Sequence, residues 1–285
     1  MPSVLVTGVA GRIGSVTASR LKEAGFSVAG LDRRRPGGPV EDLLDEVIVG
    51  SASDTSIVQR SVRGKEAVVH LAAIPSPEGR EPTEVFSNNV ETTFNVLDAA
   101  ASAGAKAAVI ASSICALGLV FAPEPLHPDY APLDEQHPLR PADPYGLSKQ
   151  CDELTAAMVS RRSAMTVLAY RFPFTNSAQR IVARSEANRA HPADAARELW
   201  AYLDVRDAAE ACLLGISAAL EGRLSGHHVL NVVAEDALVD EPLGDLVHRF
   251  HPDTVLRREL GARSCAYDTS AARRLLGFSA KHLRP

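Results

Sequence analysis

The feature that most restricts the fold of this chain is a regular alternation of short β-rich runs with longer helical patterns. Such an alternation predicts a parallel sheet that is covered by helices on both faces. Continuous apolar runs, such as Ala67-Val68-Val69, fit strands that are buried on both sides. The predicted strands are Val4–Thr7, Ser27–Leu31, Ala67–Leu71 and Ala107–Ala111, and the predicted helices between them are Ser15–Ala24, Asp54–Val62 and Thr83–Ala103. The sequence therefore predicts an α/β protein with a doubly wound, mostly parallel sheet.

A proline-rich segment, residues 118–144, interrupts this alternation. A loop of this length inside a compact domain is usually functional. We expect four elements after it: a helix from near Tyr145, a strand over Thr166–Phe172, a helix over Ala208–Ser217 capped by Asp207, and a helix over Ser270–Leu276 ended by Gly277. The first of these helices has an apolar stripe of Leu147, Leu154 and Met158.

Charge and cysteine spacing argue against several classes of protein. The 285 residues carry a formal net charge of −5, and the longest basic run is Arg33-Arg34-Arg35, so a nucleic-acid partner is not expected. The cysteines are far apart and lack the spacing of a zinc site, so we expect no metal and reduced thiols. No apolar run reaches the roughly 20 residues of a membrane span, and the start of the sequence does not resemble a secretory signal. We expect a cytoplasmic protein with no membrane partner.

Three glycines, Gly8, Gly11 and Gly14, follow the first predicted strand and precede a helical pattern. Glycines in this place allow a tight turn and let the backbone approach a pyrophosphate. They also present free N–H groups of the helix N-terminus to an anion. A glycine triplet alone is weak evidence, but the strand-turn-helix context strengthens it. The sequence therefore predicts a dinucleotide site at this turn.

Asp32 ends the second predicted strand, about twenty residues after the glycine turn. A carboxylate in this place accepts hydrogen bonds from the adenosine ribose and repels a 2′-phosphate, so NAD is favoured. Arg33 or Arg34 could instead bind that phosphate, because guanidinium groups pair well with phosphate. NADP therefore remains an alternative cofactor.

Tyr145 and Lys149 are four residues apart near the start of a predicted helix. Positions i and i+4 share one helical face, so the phenol and the ammonium can point to a common place. The pKa of a free tyrosine is about 10, and a nearby ammonium favours the phenolate. The same spacing occurs by chance on many helices, so the pair alone assigns no function.

Several motifs together resemble the extended short-chain dehydrogenase/reductase superfamily, and more narrowly the NAD-dependent epimerase/dehydratase family. The similarity is dense over residues 3–175 and thinner beyond them. The motifs are T-G-x-x-G-x-x-G at residues 7–14, HLAA at 70–73, NNVETTFNVLDAA at 88–100, ASSICALG at 111–118 and PYGLSK at 144–149. The resemblance implies a Rossmann-type sheet with a small C-terminal substrate lobe. It suggests a cofactor domain over residues 1–172, rejoined by 201–233, and a lobe built from 173–200 and 234–285.

The resemblance also implies roles for individual residues. Tyr145 would be the acid/base on the substrate oxygen, Lys149 would hold the nicotinamide ribose and favour the phenolate, and Ser113 would hold the substrate oxygen. The residues expected to contact the cofactor are Gly8, Gly11, Arg12, Ile13, Gly14, Asp32, Arg33, Leu71, Ala72, Ala73, Asn89, Tyr145, Lys149 and Pro173.

Departures from the family pattern bear on the substrate. Phe174 stands where nucleotide-sugar epimerases usually have asparagine, which favours a smaller substrate. Similarity to uronate dehydrogenases places Ser76 and Arg171 against a carboxylated sugar, beside Ser113. Cys115 replaces the histidine expected in those enzymes, so a uronate substrate is doubtful.

Three functions are compatible with the resemblance. The first is an NAD(P)-dependent oxidoreductase on a secondary alcohol or ketone of a small sugar-like or sugar-acid substrate. The second is a sugar epimerase with transient oxidation, and the third is a dinucleotide-binding regulator without chemistry. Ile114 and Cys115 occupy the place of the acidic doublet of dehydratases, which argues against dehydration. The resemblance further implies a homodimer, for which Val85, Phe86, Phe94 and Met158 offer apolar side chains.

Overall fold

The computed structural model describes residues 1–284 and contains a seven-stranded parallel sheet. The strands, in chain order, are β1 (Ser3–Thr7), β2 (Ser27–Asp32), β3 (Glu46–Val49), β4 (Ala67–His70), β5 (Ala107–Ser113), β6 (Tyr130–Ala131), β7 (Thr166–Phe172), β8 (Phe174–Asn176), β9 (Tyr202–Asp204), β10 (His227–Asn231) and β11 (Val255–Leu256). The order in the large sheet is β10-β7-β5-β4-β1-β2-β3. The chain changes direction across the sheet between β1 and β4, which is where doubly wound folds bind their ligands.

Helices cover both faces of this sheet, while α8 (Leu243–Phe250) and the 3₁₀ helix Pro192–Glu198 lie outside it. The other helices are α1 (Arg12–Glu23), α2 (Gly38–Leu43), α3 (Thr55–Ser61), α4 (Pro82–Ser102), α5 (Pro144–Arg162), α6 (Ala178–Ala190), α7 (Val205–Leu220) and α9 (Ser270–Leu276), with a 3₁₀ helix at Ile114–Leu117. None of the helices within residues 1–284 is both long and apolar enough to cross a membrane.

Side chains that alternate along the strands pack into two separate hydrophobic cores, one on each face of the sheet. Val4 and Val6 of β1 point to the face covered by α1 and α7, where Leu21 and Ile216 are fully buried. Leu5, between them, points to the opposite face, which is covered by α3, α4 and α5. Because both faces are covered, the strands read as continuous apolar runs, as the sequence predicts.

A third core lies outside the large sheet and defines the small lobe. The core of this lobe, called the small-lobe core below, includes Leu117, Leu133, Trp200, Leu246 and Tyr267. Its members come from the proline-rich segment, from the 3₁₀ helix Pro192–Glu198 and from the C-terminal region. Parallel pairing of β11 with β6 links the proline-rich segment to the C-terminal region. The proline-rich segment is therefore a structural part of the small lobe.

One predicted helix cap differs from the structure, and the structure also shows which way the stripe of α5 faces. α7 begins at Val205, and its N-cap is Asp204, whose side chain accepts from the Arg206 N–H; Asp207 is already inside the first turn. The carboxylate of Asp207 instead accepts from the backbone N–H groups of residues 281 and 282. The predicted apolar stripe of α5 faces outward, since 42% of Leu147 and 64% of Leu154 is exposed.

Candidate active site

The glycine turn connects β1 to α1 at the centre of the sheet. Gly8 adopts a φ of +71°, which favours glycine, and its N–H donates to Leu31 O over 2.8 Å. A Cβ on Gly14 would overlap the carbonyl oxygen of Gly8, so this position has no room for a side chain. The turn thus places the N-terminus of α1 at the carboxyl end of β1 and leaves the N–H groups of that helix end available to an anion.

A cleft of about 790 Å³ opens at the carboxyl ends of β1, β2 and β4. It is lined by most of the residues expected to contact the cofactor: Gly8, Gly11, Arg12, Asp32, Arg33, Leu71, Ala72 and Ala73. Its size is in the range of cofactor and ligand pockets. The cradle formed by the glycine turn and the volume of the cleft both fit a dinucleotide.

Arg34, the alternative phosphate-binding residue, also lines the cleft. Sequence reasoning did not select the other lining residues, which are Gly50, Ser51, Ala52, Pro75, Arg80, Asn88 and Thr92. Their common signal is position, since they follow β3 or β4 or lie in α4. Arg34 and Arg80 join Arg12 and Arg33 there, so the cleft is rich in cations, as a pyrophosphate requires.

Asp32 both faces the cleft and braces the glycine turn. Its Oδ2 accepts from the Ala10 N–H over 3.0 Å, and its Oδ1 accepts from the Arg34 N–H over 3.1 Å. The carboxylate therefore holds together the loop after β1 and the loop after β2, which both line the cleft.

Asn89 and Pro173 occupy supporting positions. Asn89 is buried, and its amide exchanges hydrogen bonds of 2.8 and 3.0 Å with the backbone of Ile74 and donates to Ser148 Oγ. It thereby ties the β4–α4 loop to α5. Pro173 separates β7 from β8, and its carbonyl accepts from Thr175 Oγ1.

The three residues of the expected triad come together at the ends of β5 and α5. Ser113 is the last residue of β5, and its Oγ accepts from the Cys115 N–H over 3.1 Å. Tyr145 lies in the first turn of α5, which is capped by Asp143 through the Gly146 N–H at 2.8 Å. Ser113, Tyr145 and Lys149 are all buried, and Lys149 Nζ lies 5.7 Å from the centroid of the Tyr145 ring.

Lys149 is held by two acceptors. Its Nζ donates to Ala111 O over 2.9 Å and to Asp152 Oδ2 over 3.0 Å. Both side chains of the Lys149–Asp152 pair are almost completely buried. Sequence reasoning missed Asp152, although a carboxylate three residues after a lysine on a helix shares its face.

Burial raises the pKa of the Tyr145 phenol, with further contributions from Cys115, Asp152 and Asp143. A hydrogen bond with Ser113 acts in the opposite direction. The net direction is opposite to that expected from Lys149 alone, because the surroundings are dry and Asp152 offsets the lysine charge. Tyr145 is therefore a neutral phenol at neutral pH in this state.

Cys115 and Phe121 complete the surroundings of the phenol. The Phe121 ring meets the Tyr145 ring edge-on, with 6.2 Å between centroids. Burial raises the pKa of Cys115 to about 12, so its thiol is neutral. Cys115 therefore contributes a small apolar surface next to the reacting oxygen.

Two of the residues expected to bind the substrate, Ser76 and Arg171, have different surroundings. Ser76 lies in the β4–α4 loop, where its Oγ accepts from the Glu78 N–H. Arg171, in contrast, is buried in a bidentate ion pair with Glu153, with distances of 2.8 and 2.9 Å. Its remaining nitrogen donates to Glu135 O. These contacts engage three of the five N–H groups of the guanidinium, and the expectation that Arg171 binds a substrate carboxylate stays a prediction.

Comparison with known proteins agrees with this geometry. The model of the NAD dependent epimerase/dehydratase family matches residues 4–232. The UDP-glucose 4-epimerase of Corynebacterium glutamicum is 33% identical over 149 residues, which are 51% of this chain and 43% of that protein. The uronate dehydrogenase of Pseudomonas putida is 30% identical over 169 residues, or 59% of each chain. The similarity thus spans about half the length of these curated relatives.

Among solved structures, a short-chain dehydrogenase/reductase superfamily protein of Agrobacterium tumefaciens, with bound NAD, superimposes with a TM-score of 0.74. The two are 26% identical, and the match covers 99% of this chain and 93% of that one. The likeness therefore includes both the large sheet and the small lobe.

Proposed function

Since this chain belongs to the NAD-dependent epimerase/dehydratase family, we propose that it is an NAD-linked oxidoreductase that interconverts a secondary alcohol and a ketone on a small sugar-like substrate. The observation that carries this proposal is the convergence of Ser113, Tyr145 and Lys149 beside a cationic dinucleotide cleft. The solved relative with bound NAD supports the choice of cofactor.

NAD, when bound in the cleft, supplies the acceptor or donor of a hydride. Gly8, Gly11 and Arg12 hold its pyrophosphate, and Asp32 accepts from the adenosine ribose. Asp32 favours NAD over NADP, while Arg33 and Arg34 leave weaker NADP use open.

The triad handles the proton and the oxygen. Ser113 Oγ donates to the substrate oxygen and fixes its position. In alcohol oxidation, Tyr145 takes the hydroxyl proton as phenolate, and in ketone reduction its neutral phenol returns that proton. Lys149 positions the nicotinamide ribose with the N–H that Ala111 and Asp152 leave free.

We further propose that the small lobe closes the substrate end of the site. Residues 173–200 and 234–285 supply most of it, and the proline-rich segment joins them in the small-lobe core. Because this segment connects β5 to α5, movements of the lobe act directly on Ser113 and Tyr145.

Epimerisation is the second candidate, favoured by the UDP-glucose 4-epimerase relative. In that reaction the hydride returns to the same substrate and no reduced cofactor accumulates. Turnover of NAD or NADP with a panel of sugars, sugar acids and small ketones separates the two. A net change in nicotinamide absorbance supports the oxidoreductase, whereas product without such a change supports the epimerase.

Substitutions in the triad test the assigned roles. Tyr145→Phe is expected to bind NAD normally and lose turnover by about 10²-fold or more. Ser113→Ala should behave similarly, whereas Lys149→Met should impair NAD binding and turnover together. Tyr170→Phe is the matched control, because its phenol is also buried but bonds to Ala211 on the other face of the sheet. Wild-type turnover in Tyr145→Phe would refute the proposed proton transfer.

A further inference from the structure

Glu198 is a mostly buried carboxylate with no role in the steps above. It ends the 3₁₀ helix Pro192–Glu198, and Arg184 of α6 donates to it over 3.0 Å. The Arg184 guanidinium lies 5.4 Å from the centroid of the Phe174 ring. Burial raises the pKa of Glu198, and the charge of Arg184 opposes that shift. The pair is thus held in a partly dry place where its polar atoms interact strongly with a ligand.

The Arg184–Glu198 pair is connected to the cofactor cleft on one side and to the surroundings of Tyr145 on the other. The side chain of Arg12, which lines the cleft, donates to Thr175 O over 3.0 Å. Thr175 follows Phe174, whose ring lies beneath Arg184. On the other side, Arg197, the neighbour of Glu198, donates to Ala122 O, and the ring of Phe121, next to Ala122, meets the Tyr145 ring edge-on. Burial is the main cause of the raised pKa of the Cys115 thiol, and the negative charge of Glu198 raises this pKa further.

The backbone that follows Glu198 is strained. Leu199 and Trp200 have φ values of 52° and 54°, and both side chains are fully buried. Two consecutive non-glycine residues in the left-handed region are uncommon, and such strain concentrates at functional sites. Trp200 Nε1 donates to Pro192 O, which closes the 3₁₀ helix on itself. The two residues that orient Glu198 are therefore held in a conformation that costs free energy.

Charge pairing in this region disfavours an acidic ligand. Lys149 pairs with Asp152 at 3.0 Å, Arg171 with Glu153 at 2.8 Å, and Arg184 with Glu198 at 3.0 Å. Each of these cations is already matched by a carboxylate, and Asp143 adds a further acidic group near Cys115. The surplus arginines line the dinucleotide cleft instead. Arg197, beside Glu198, donates to the carbonyl of Ala122. A substrate carboxylate or diphosphate placed against Glu198 would therefore meet a negative charge whose paired cation, Arg184, is already engaged.

We infer that Glu198, held by Arg184, is a specificity-determining residue that accepts hydrogen bonds from vicinal hydroxyls of a small neutral sugar. This inference rests on the proposed function and narrows its substrate class. The carboxylate accepts from two adjacent hydroxyls, and Arg184 donates to a ring or hydroxyl oxygen. Uronates and nucleoside diphosphate sugars are disfavoured by the same carboxylate.

Trp200 gives a local probe of this site, because it is the single tryptophan of the chain and lies two residues after Glu198. We would titrate NAD-saturated protein with galactose, galacturonate, glucose, glucuronate and UDP-glucose, and follow tryptophan fluorescence and the rate of NADH formation. Each neutral sugar is expected to bind at least about tenfold more tightly than its acid, since the carboxylate of the acid is repelled by the charge of Glu198.

Glu198→Gln is expected to weaken binding of the neutral sugar about tenfold, to raise KM more than it lowers kcat, and to reduce the preference over the acid. Glu198→Asp, which keeps the charge, should recover part of the affinity. Glu210→Gln is the matched control, because Glu210 forms a comparable half-buried pair with Arg20 between α1 and α7.

Three results would overturn the inference: equal or tighter binding of the acids, an unchanged preference in Glu198→Gln, or unchanged Trp200 fluorescence with every sugar. Failure of the proposed function looks different. Fluorescence-detected binding of neutral sugars without Tyr145-dependent product rejects the function and supports the role of Glu198. Tyr145-dependent turnover of an acid rejects the role of Glu198 and keeps the function.

Discussion

At the scale of single residues, Asp32 links cofactor choice to the shape of the glycine turn. Asp32→Ala removes the ribose acceptor, the repulsion of a 2′-phosphate and the hydrogen bond to the Ala10 N–H. We expect NAD affinity to fall at least about tenfold, while NADP affinity changes little. Titration of both cofactors measures this difference, and an equal loss for both would show that Asp32 acts only by bracing the turn.

The raised pKa of Tyr145 predicts opposite pH dependences for the two directions of the reaction. Oxidation needs the phenolate, so its rate should rise with pH through the neutral and alkaline range. Reduction uses the neutral phenol and should persist at neutral pH. Asp152→Asn removes a negative charge that raises the pKa of Tyr145, so the rise in oxidation rate should move to lower pH.

Initial rates across pH in both directions measure this shift, with NAD affinity of the variant as a control for the position of Lys149. If the oxidation rate of Asp152→Asn rises over the same pH range as that of the wild type, Asp152 acts on the placement of Lys149 and not on the phenol.

At the scale of elements, the β1–α1 turn depends on the absence of a side chain at Gly14. Gly14→Ala places a methyl group against the Gly8 carbonyl, so the turn must shift. We expect a loss of about 1–3 kcal/mol of stability and weaker NAD binding. Gly261→Ala is the control, because a Cβ there meets no atom within 4 Å among the described residues. Thermal unfolding and NAD titration measure both effects, and wild-type behaviour of Gly14→Ala would contradict this packing.

The Arg171–Glu153 pair joins β7 to α5 and is expected to be structural. Glu153→Gln leaves the buried guanidinium without its counter-ion, at a cost of about 3–5 kcal/mol. Glu241→Gln, at the exposed pair with Arg249, should cost at most about 1 kcal/mol. Denaturant unfolding compares the two variants. A small loss of stability in Glu153→Gln would contradict the structural role and favour substrate binding by Arg171.

These elements also show what sequence can and cannot predict. The strand Thr166–Phe172 and the helix Ser270–Leu276 match their predicted bounds, because local apolar patterns and an end signal such as Gly277 specify them. The glycine turn is likewise local. Glu198 becomes part of the site only through the packing of two distant 3₁₀ helices, and Arg171 finds Glu153 only after β7 docks on α5. Such pairings depend on tertiary contacts that one sequence does not reveal.

At the scale of the whole molecule, the outward stripe of α5 predicts self-association. Leu147 and Leu154 are exposed on α5, and Phe94 is exposed on the neighbouring α4. Of the residues first considered for this surface, Val85 is fully buried in its own chain and Met158 packs partly against the core of the α3–α5 face. We predict a homodimer through this surface, since two-fold dimers are the commonest closed oligomers.

Light scattering at micromolar concentration measures this assembly. Leu154→Glu should give a monomer, because it places a charge at the centre of the stripe. Val182→Glu, on exposed α6, should stay a dimer. A wild-type monomer would contradict the prediction.

The small-lobe core is separate from the two cores of the large sheet, although Ile181 and Leu276 pack in the core beneath the glycine turn. Substitutions confined to the small-lobe core act on what reaches Tyr145 and leave the packing beneath the glycine turn unchanged. A lineage could therefore acquire a new substrate while it keeps its cofactor, and a laboratory selection restricted to small-lobe positions would sample new chemistry at little risk to folding.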